Sequence, residues 1–358
     1  MSVDELLNLP PWSLDTRRKD RVLTDLCNEL TGWHAARCPA YRRILDAVAP
    51  DGFHASTLSG VPWLPVGLFK SHKLASVPDS EIAVTLTSSG TTGQQPSRIF
   101  LDKTTARRQT LALAHTMTGI LGPERLPMIV VDTKSVVGRR DEFSARTAGV
   151  LGMLNFGRNQ TFALNDNMDA DIAALSDFLG RHGGAPFFLF GFTFIVWKYF
   201  VPAVEQAGLD LSNGILVHSG GWKRMTEIAV TPAEFRRRLR ERTGLQHVYN
   251  FYGMVEQVGG IFLEGSDGFF HTTNFSDVII RDPRTWKPAA PGTPGVIQAI
   301  SALPLSYPGH SILTEDLGVL HADDNPECAW RGRAFSVLGR VPRAEIRGCS
   351  DTFAQKAA

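Results

Sequence analysis

Between two apolar, strand-like runs, Ile82–Leu86 and Ile99–Leu101, lies Thr87-Ser88-Ser89-Gly90-Thr91-Thr92-Gly93, followed by Gln94, Gln95 and Pro96. A connection between two strands usually needs only about two to five residues. This one is longer, and it is built of hydroxyl side chains and of glycines that leave backbone N–H groups uncovered. Such a loop can surround phosphate oxygens. It can equally be a surface turn, and composition alone leaves both open. Three familiar loops are excluded by inspection, because the chain contains no G-K-[ST], no G-x-G-x-x-G and no G-x-S-x-G. Further residues with chemical potential are Glu256 in Tyr252-Gly253-Met254-Val255-Glu256-Gln257, Asp316, Arg340 and Cys349. Taken singly, each has an ordinary explanation as a helix-start carboxylate, a salt-bridge partner or an incidental thiol.

These residues need a scaffold, and the pattern around them supplies one. Leu14–Val48 reads as helical with breaks near Gly32 and at Pro39, and Pro62 and Pro65 mark an extended crossing. From Ile82 strands and helices alternate. Met128–Asp132, Gly214–Gly221 and His247–Gly253 read as strands, and Thr104–Ile120, Ala170–Leu179, Phe194–Ala207 and Pro232–Thr243 as helices, the last opened by Thr231. The rhythm predicts an α/β fold, with sheets flanked by helices. After Phe262 short strands and turns predict a smaller β-rich lobe. The expected organisation is a helical and extended segment over residues 1–80, an α/β ATP- and acid-binding core over 81–262, the β-rich lobe over 263–340, and a hinge remnant with a mobile tail over 341–358.

With 358 residues, 43% hydrophobic and 20% charged, the chain has ample material for a core. Lys+Arg 37 against Asp+Glu 36 leaves a net charge of +1, which argues against nucleic acid or an acidic membrane surface as partner. No segment reaches the roughly 18 consecutive apolar residues of a membrane helix, and the first residues lack a signal-peptide pattern, so a cytoplasmic location is expected. Cys27, Cys38, Cys328 and Cys349 form no C-x-x-C pair, which points to reduced thiols.

Four stretches in order add a family resemblance. "TSSGTTGQQPSR" resembles the phosphate loop of the adenylate-forming superfamily, "NFYGMVEQ" its Y-G-x-T-E element, "SILTEDLG" its T-G-D element and "VLGRVPRAEIRGCS" its hinge. "CPAYRRIL", "VPWLPVGLFKS" and "SGGWKRM" are similar to the LuxE-type acyl-protein synthetases, with the phenylacetate-CoA ligase type as a cousin. The resemblance implies an ATP-dependent enzyme that converts a carboxylic acid, fatty or aromatic, to an acyl-adenylate and then transfers it to a thiol. By it, Thr87–Gly93 hold the β- and γ-phosphates, and Arg98 takes the place of the family's lysine. Glu256 binds Mg²⁺, Tyr252 and Gly253 lie beside the adenine, Asp316 accepts from the ribose hydroxyls, and Arg340 reaches ribose or phosphate. His218, Ser219, Gly220 and Gly221 end a strand at the sheet edge where ligands bind. Val255 and Glu315 stand where the family has threonine and glycine.

The resemblance also implies that Cys349, nine residues from the end, carries the acyl group as a thioester to a partner, a reductase or carrier protein, with Arg343 and Arg347 close in sequence to lower its pKa. The family's larger members continue into a lid domain that supplies a lysine. No such domain is expected in these residues, and Lys70 or Lys223 are candidates to replace the lysine. The aromatic run Phe187–Trp197 suits an acyl pocket or, more simply, core packing. Two other readings stay open: an acyl- or aryl-CoA ligase, and a non-catalytic adenylate- or acid-binding scaffold.

Overall fold

Phe187–Phe192 is buried along its whole length, as expected of a central strand covered on both faces. A computed structural model of the chain describes residues 1–88, 96–138, 145–222, 229–257 and 259–341. These fall into two compact units, Ile120–Tyr252 forming one and Met1–Gly119 with the described part of Gly253–Glu345 the other.

In the unit Ile120–Tyr252 the strands are Leu126–Thr133, Gly157–Leu164, Phe187–Phe192, Gly214–Ser219 and His247–Gly253. They pair in parallel, with Leu126–Thr133 between Gly157–Leu164 and Phe187–Phe192, and Gly214–Ser219 between Phe187–Phe192 and His247–Gly253. Helices Ala145–Leu154, Ile172–His182 and Pro232–Thr243 lie in the connections, which is what parallel pairing demands. Thr231 caps the last of these by accepting from Glu234 N at 3.1 Å. The helix anticipated over Phe194–Ala207 is interrupted. Its middle, Val196–Phe200, is a wide π-turn between α-helical Thr193–Ile195 and Val201–Ala207. Pro202 has no N–H with which to continue the regular ladder, and the wide turn directly precedes it.

The other unit carries an antiparallel meander, Ser276–Arg281, Gly295–Ser301, Ser311–Asp323 and Arg333–Arg340, extended by Phe270–His271 and Ile261–Glu264. Leu64–Pro65 joins Ser311–Asp323 in parallel, the extended segment that Pro62 and Pro65 implied. Helix Thr16–Arg37 runs through Gly32 without the expected break. A glycine costs a helix about 1 kcal/mol relative to alanine, and the burial of Leu30, Thr31 and His34 around it outweighs that.

The helix is tied to the meander by charge. Lys19 and Asp277, 1% and 0% exposed, meet at 3.3 Å, and Arg333 bonds Asp277 at 2.7 Å and Asp20 at 2.6 Å. Lys19 Nζ also donates to Thr272 Oγ1.

Candidate functional site

The serine- and threonine-rich loop rises from a hairpin. Val84–Thr87 pairs antiparallel with Arg98–Leu101, and Thr87 faces Arg98. One step further out, Ser88 N donates to Ser97 O at 3.1 Å while Ser97 N donates to Ser88 Oγ at 2.8 Å. The two limbs are thus clasped at the root. Thr87 and Arg98 are exposed, whereas Ser97 is fully buried. Ser89, Gly90, Thr91, Thr92 and Gly93 lie outside the described residues.

The buried Ser97 hydroxyl faces the carboxyl of Glu256. That glutamate is only 5% exposed. Burial pushes its pKa up, because an ionised carboxylate loses hydration there. The Ser97 hydroxyl and, from further off, Arg340 oppose the shift, and Glu315 adds to it. Its backbone is fixed from several sides. Tyr307 OH donates to Glu256 O at 3.2 Å, Gln257 N closes the turn onto Met254 O at 3.1 Å, and Gln257 Nε2 donates to Ala299 O at 3.1 Å and Gly309 O at 2.9 Å. A buried carboxylate on a rigid turn, with no cation in direct contact among the described residues, is a ready ligand for one.

Asp316 and Arg340 sit opposite each other in the pairing of Ser311–Asp323 with Arg333–Arg340. Arg340 Nε lies 3.6 Å from Asp316 Oδ1, and Nη1 lies 3.2 Å from Glu315 Oε2. Thr314 Oγ1 accepts from Asp316 N at 3.1 Å. Strand pairing therefore aligns the two residues that the motifs kept twenty-four positions apart. One unit thus brings together Ser88, Ser97, Glu256, Glu315, Asp316 and Arg340, all by direct contact or mutual field.

In the other unit, Gly214–Ser219 ends in Gly220, whose φ of +88° belongs to the left-handed region that glycine occupies freely. Gly220 and Gly221 are exposed, and Ser219 Oγ donates to Phe251 O at 3.2 Å beside Tyr252. His218 points inward. Its Nδ1 bonds Thr193 Oγ1 at 2.8 Å and its ring lies 4.6 Å from that of Phe235, which stacks on Trp197 at 5.5 Å. Burial, with Arg236 adding to it, lowers the His218 pKa to about 3, so the ring is neutral near pH 7. The aromatic run Phe187–Trp197, read as core packing more simply than as an acyl pocket, forms this core and the central strand. Lys70 lies on the short helix Leu68–Ser71, while Lys223, Arg343, Arg347 and Cys349 lie outside the described residues.

Ser97, Tyr307 and Gln257 were not singled out from sequence. Gln257 adjoins the motif glutamate and Ser97 follows the loop proline, which were the signals available. Nothing near Tyr307 in sequence pointed to it.

Comparison with solved structures defines the class. An open conformation of 2-hydroxyisobutyryl-CoA ligase, in complex with 2-HIB-AMP and CoA, superposes with a TM-score of 0.65 at 19% identity, covering 96% of this chain and 82% of that one. The same ligase in its postadenylation state gives 0.68 at 18% identity, covering 96% and 74%. The fold is that of an adenylate-forming ligase. A family model described as acyl-protein synthetase, LuxE, matches residues 2–358, and the chain belongs to that family. It is therefore an AMP-forming acid–thiol ligase that uses ATP to activate a carboxylic acid as the acyl-adenylate before thioester transfer. Two relatives, each named long-chain-fatty-acid–luciferin-component ligase, come from Aliivibrio fischeri, 24% identical, and Vibrio harveyi, 21% identical. Both alignments cover 96% of this chain and 90% of the relative. Among the described residues no helix is long and apolar enough to cross a membrane.

Proposed function

We propose that the protein adenylates a carboxylic acid with an apolar body, accepts it on Cys349 as a thioester, and hands it to a partner protein. The observation that carries this reading is the buried Glu256 carboxylate at the root of the serine- and threonine-rich loop, alongside the paired Asp316 and Arg340. An unactivated carboxylate would have to expel oxide, so attack on the α-phosphate of ATP is needed to install a leaving group, with pyrophosphate departing. The chain has to hold two anions together and offset the charge that moves between them.

In this reading the loop from Thr87 to Gly93 cradles the β- and γ-phosphates, and Arg98 supplies positive charge beside the Ser88–Ser97 clasp at its root. Asp316 accepts from the ribose hydroxyls, and Arg340, already oriented by Glu315, reaches ribose or phosphate. Glu256 fits Mg²⁺: it is a hard oxygen donor on a pinned turn, and burial leaves it short of positive charge. The ion would neutralise phosphate charge when bound. Within the unit Ile120–Tyr252, His218 is neutral and packed and shapes the end of its strand, and Gly220 and Gly221 leave the backbone there open to a ligand. Cys349 then attacks the acyl carbon as the thiolate, forming the C–S bond and releasing AMP. The names of the two relatives favour a long-chain acid.

Two assays on the purified chain test this together. ATP–pyrophosphate exchange should depend on a suitable acid, and Cys349→Ser should keep the exchange while losing the covalent acyl group seen by intact-mass spectrometry. Acylation that persists in Cys349→Ser would remove that residue from the route. Thioester release only with coenzyme A would make the protein a CoA ligase.

A further inference from the structure

Away from these residues, the β-rich part of the same unit gathers three side chains of the types that bind transition metals. Asp267, His271 and Cys328 place one ligand atom each within 4.8 Å of one another. The turn between Ile261–Glu264 and Phe270–His271 supplies Asp267, the second of these strands ends in His271, and the loop between Ser311–Asp323 and Arg333–Arg340 supplies the thiol. We infer that Asp267, His271 and Cys328 form a binding site for one zinc-class divalent ion.

Four features support this. The donors are a carboxylate, an imidazole and a thiol, a mixture that suits zinc and leaves a fourth position for water or another donor. The spacing is close to what is needed: zinc–ligand lengths of about 2.0–2.3 Å put tetrahedral ligand atoms roughly 3.3–3.8 Å apart. His271 Nε2 is 3.0 Å from both Asp267 oxygens, a hydrogen-bond distance that has to widen by roughly 0.3 Å, while the remaining separations, all within 4.8 Å, contract by on the order of 1 Å.

The third feature is outer support. Asn325 Nδ2 donates to Asp267 Oδ2 at 2.8 Å and Phe269 N donates to Oδ1 at 3.2 Å, which fixes the carboxylate in the way that second partners orient metal ligands. Trp330 packs edge-on against the His271 ring at 5.5 Å and holds its plane. The last feature is space. A Cβ on Gly265 would lie 2.9 Å from His271 Nε2 and 3.0 Å from Asp267 Oδ1, so the absence of a side chain keeps the donor face clear. The same clearance seats the Asp–His pair, and the thiol beside it is what a bare ion pair would not need. Cys328 is half-buried, which gives an ion access. On binding, the thiol proton of Cys328 passes to solvent as the thiolate forms, and a neutral His271 ligates through Nε2 with its proton carried on Nδ1.

The test uses the full chain. After equilibration with zinc chloride and removal of excess metal by gel filtration, plasma mass spectrometry should find about one zinc per chain. Cobalt(II) in place of zinc should give a thiolate charge-transfer band in the near ultraviolet. Cys328→Ser, at a half-buried position where folding should survive, should abolish the band and cut bound zinc at least tenfold, with circular dichroism confirming the fold. Gly265→Ala should weaken binding with the three donors intact, and Cys349→Ser should retain the zinc. A wild-type chain that holds no zinc, or Cys328→Ser that holds as much as wild type, overturns the assignment.

Discussion

Asp277 and Glu256 are both buried carboxylates of one unit, and the chain treats them in opposite ways. Asp277, fully buried, has Lys19 at 3.3 Å and Arg333 at 2.7 Å. Glu256, 5% exposed, has the Ser97 hydroxyl facing it and Arg340 only at a distance. The first charge is neutralised within the protein and fastens helix Thr16–Arg37 to the meander. The second has no cation in contact among the described residues, which is costly in a resting protein and useful in one that must receive a cation and a polyphosphate. Burial alone does not separate structural from functional carboxylates here; the supply of counter-charge does.

The contrast can be broken most forcefully at Asp277. Asp277→Ala leaves Lys19 buried without its contacting carboxylate and Arg333 with Asp20 and Asp323 alone, and should cost about 3–5 kcal/mol in denaturant unfolding. A loss well below 1 kcal/mol would mean that the ion network does not fasten the helix. Glu256→Gln should behave in the reverse sense, lowering acid-dependent pyrophosphate exchange about 100- to 1,000-fold without loss of stability. The sign follows from the raised pKa of Glu256. Folded chains hold its proton more tightly than unfolded ones, so the native state loses stability as pH rises from the ordinary carboxylate range through the raised value. Glu256→Gln should therefore match wild type in acid and exceed it near pH 7, by up to about 2 kcal/mol. A variant less stable than wild type at neutral pH would place Glu256 with Asp277.

Smaller effects sharpen the picture. Asp316→Asn should raise KM for ATP about tenfold, near 1.4 kcal/mol, with kcat largely kept; an unchanged KM would argue against ribose contact. His218 and His310, both buried with pKa values lowered to about 3, remain neutral in the folded chain while unfolded histidines protonate below about pH 6.5. Stability should fall on acidification between those limits by on the order of 1 kcal/mol per pH unit for each, and His218→Asn should flatten the slope. Equal slopes in variant and wild type would show that His218 is not held neutral.

Much of this was legible in the sequence where local chemistry decides. Pro232–Thr243 and His247–Gly253 fall where cap, proline and strand pattern put them, because those signals act within a few residues. Glu256, Asp316 and Arg340 were found through short motifs. The rest depends on residues far apart in the chain. Gly157–Leu164 has too polar a face to read as a strand, Val196–Phe200 is shaped by a proline beyond it, and Tyr307 reaches Glu256 across fifty-one positions. The Asp267–His271–Cys328 cluster likewise exists only because two loops meet.

The division of the chain has a consequence during synthesis. Among the described residues, Ile120–Tyr252 makes up its unit as one uninterrupted stretch, whereas its companion needs Met1–Gly119 together with strands translated after Gly253. The inserted stretch can therefore mature on the ribosome while the opening helices, apolar faces still bare, wait for their meander to emerge. A stalled or shortened transcript would then yield a soundly folded middle with a sticky leader, a hazard to be met by chaperones in the cell and by careful choice of end points at the bench.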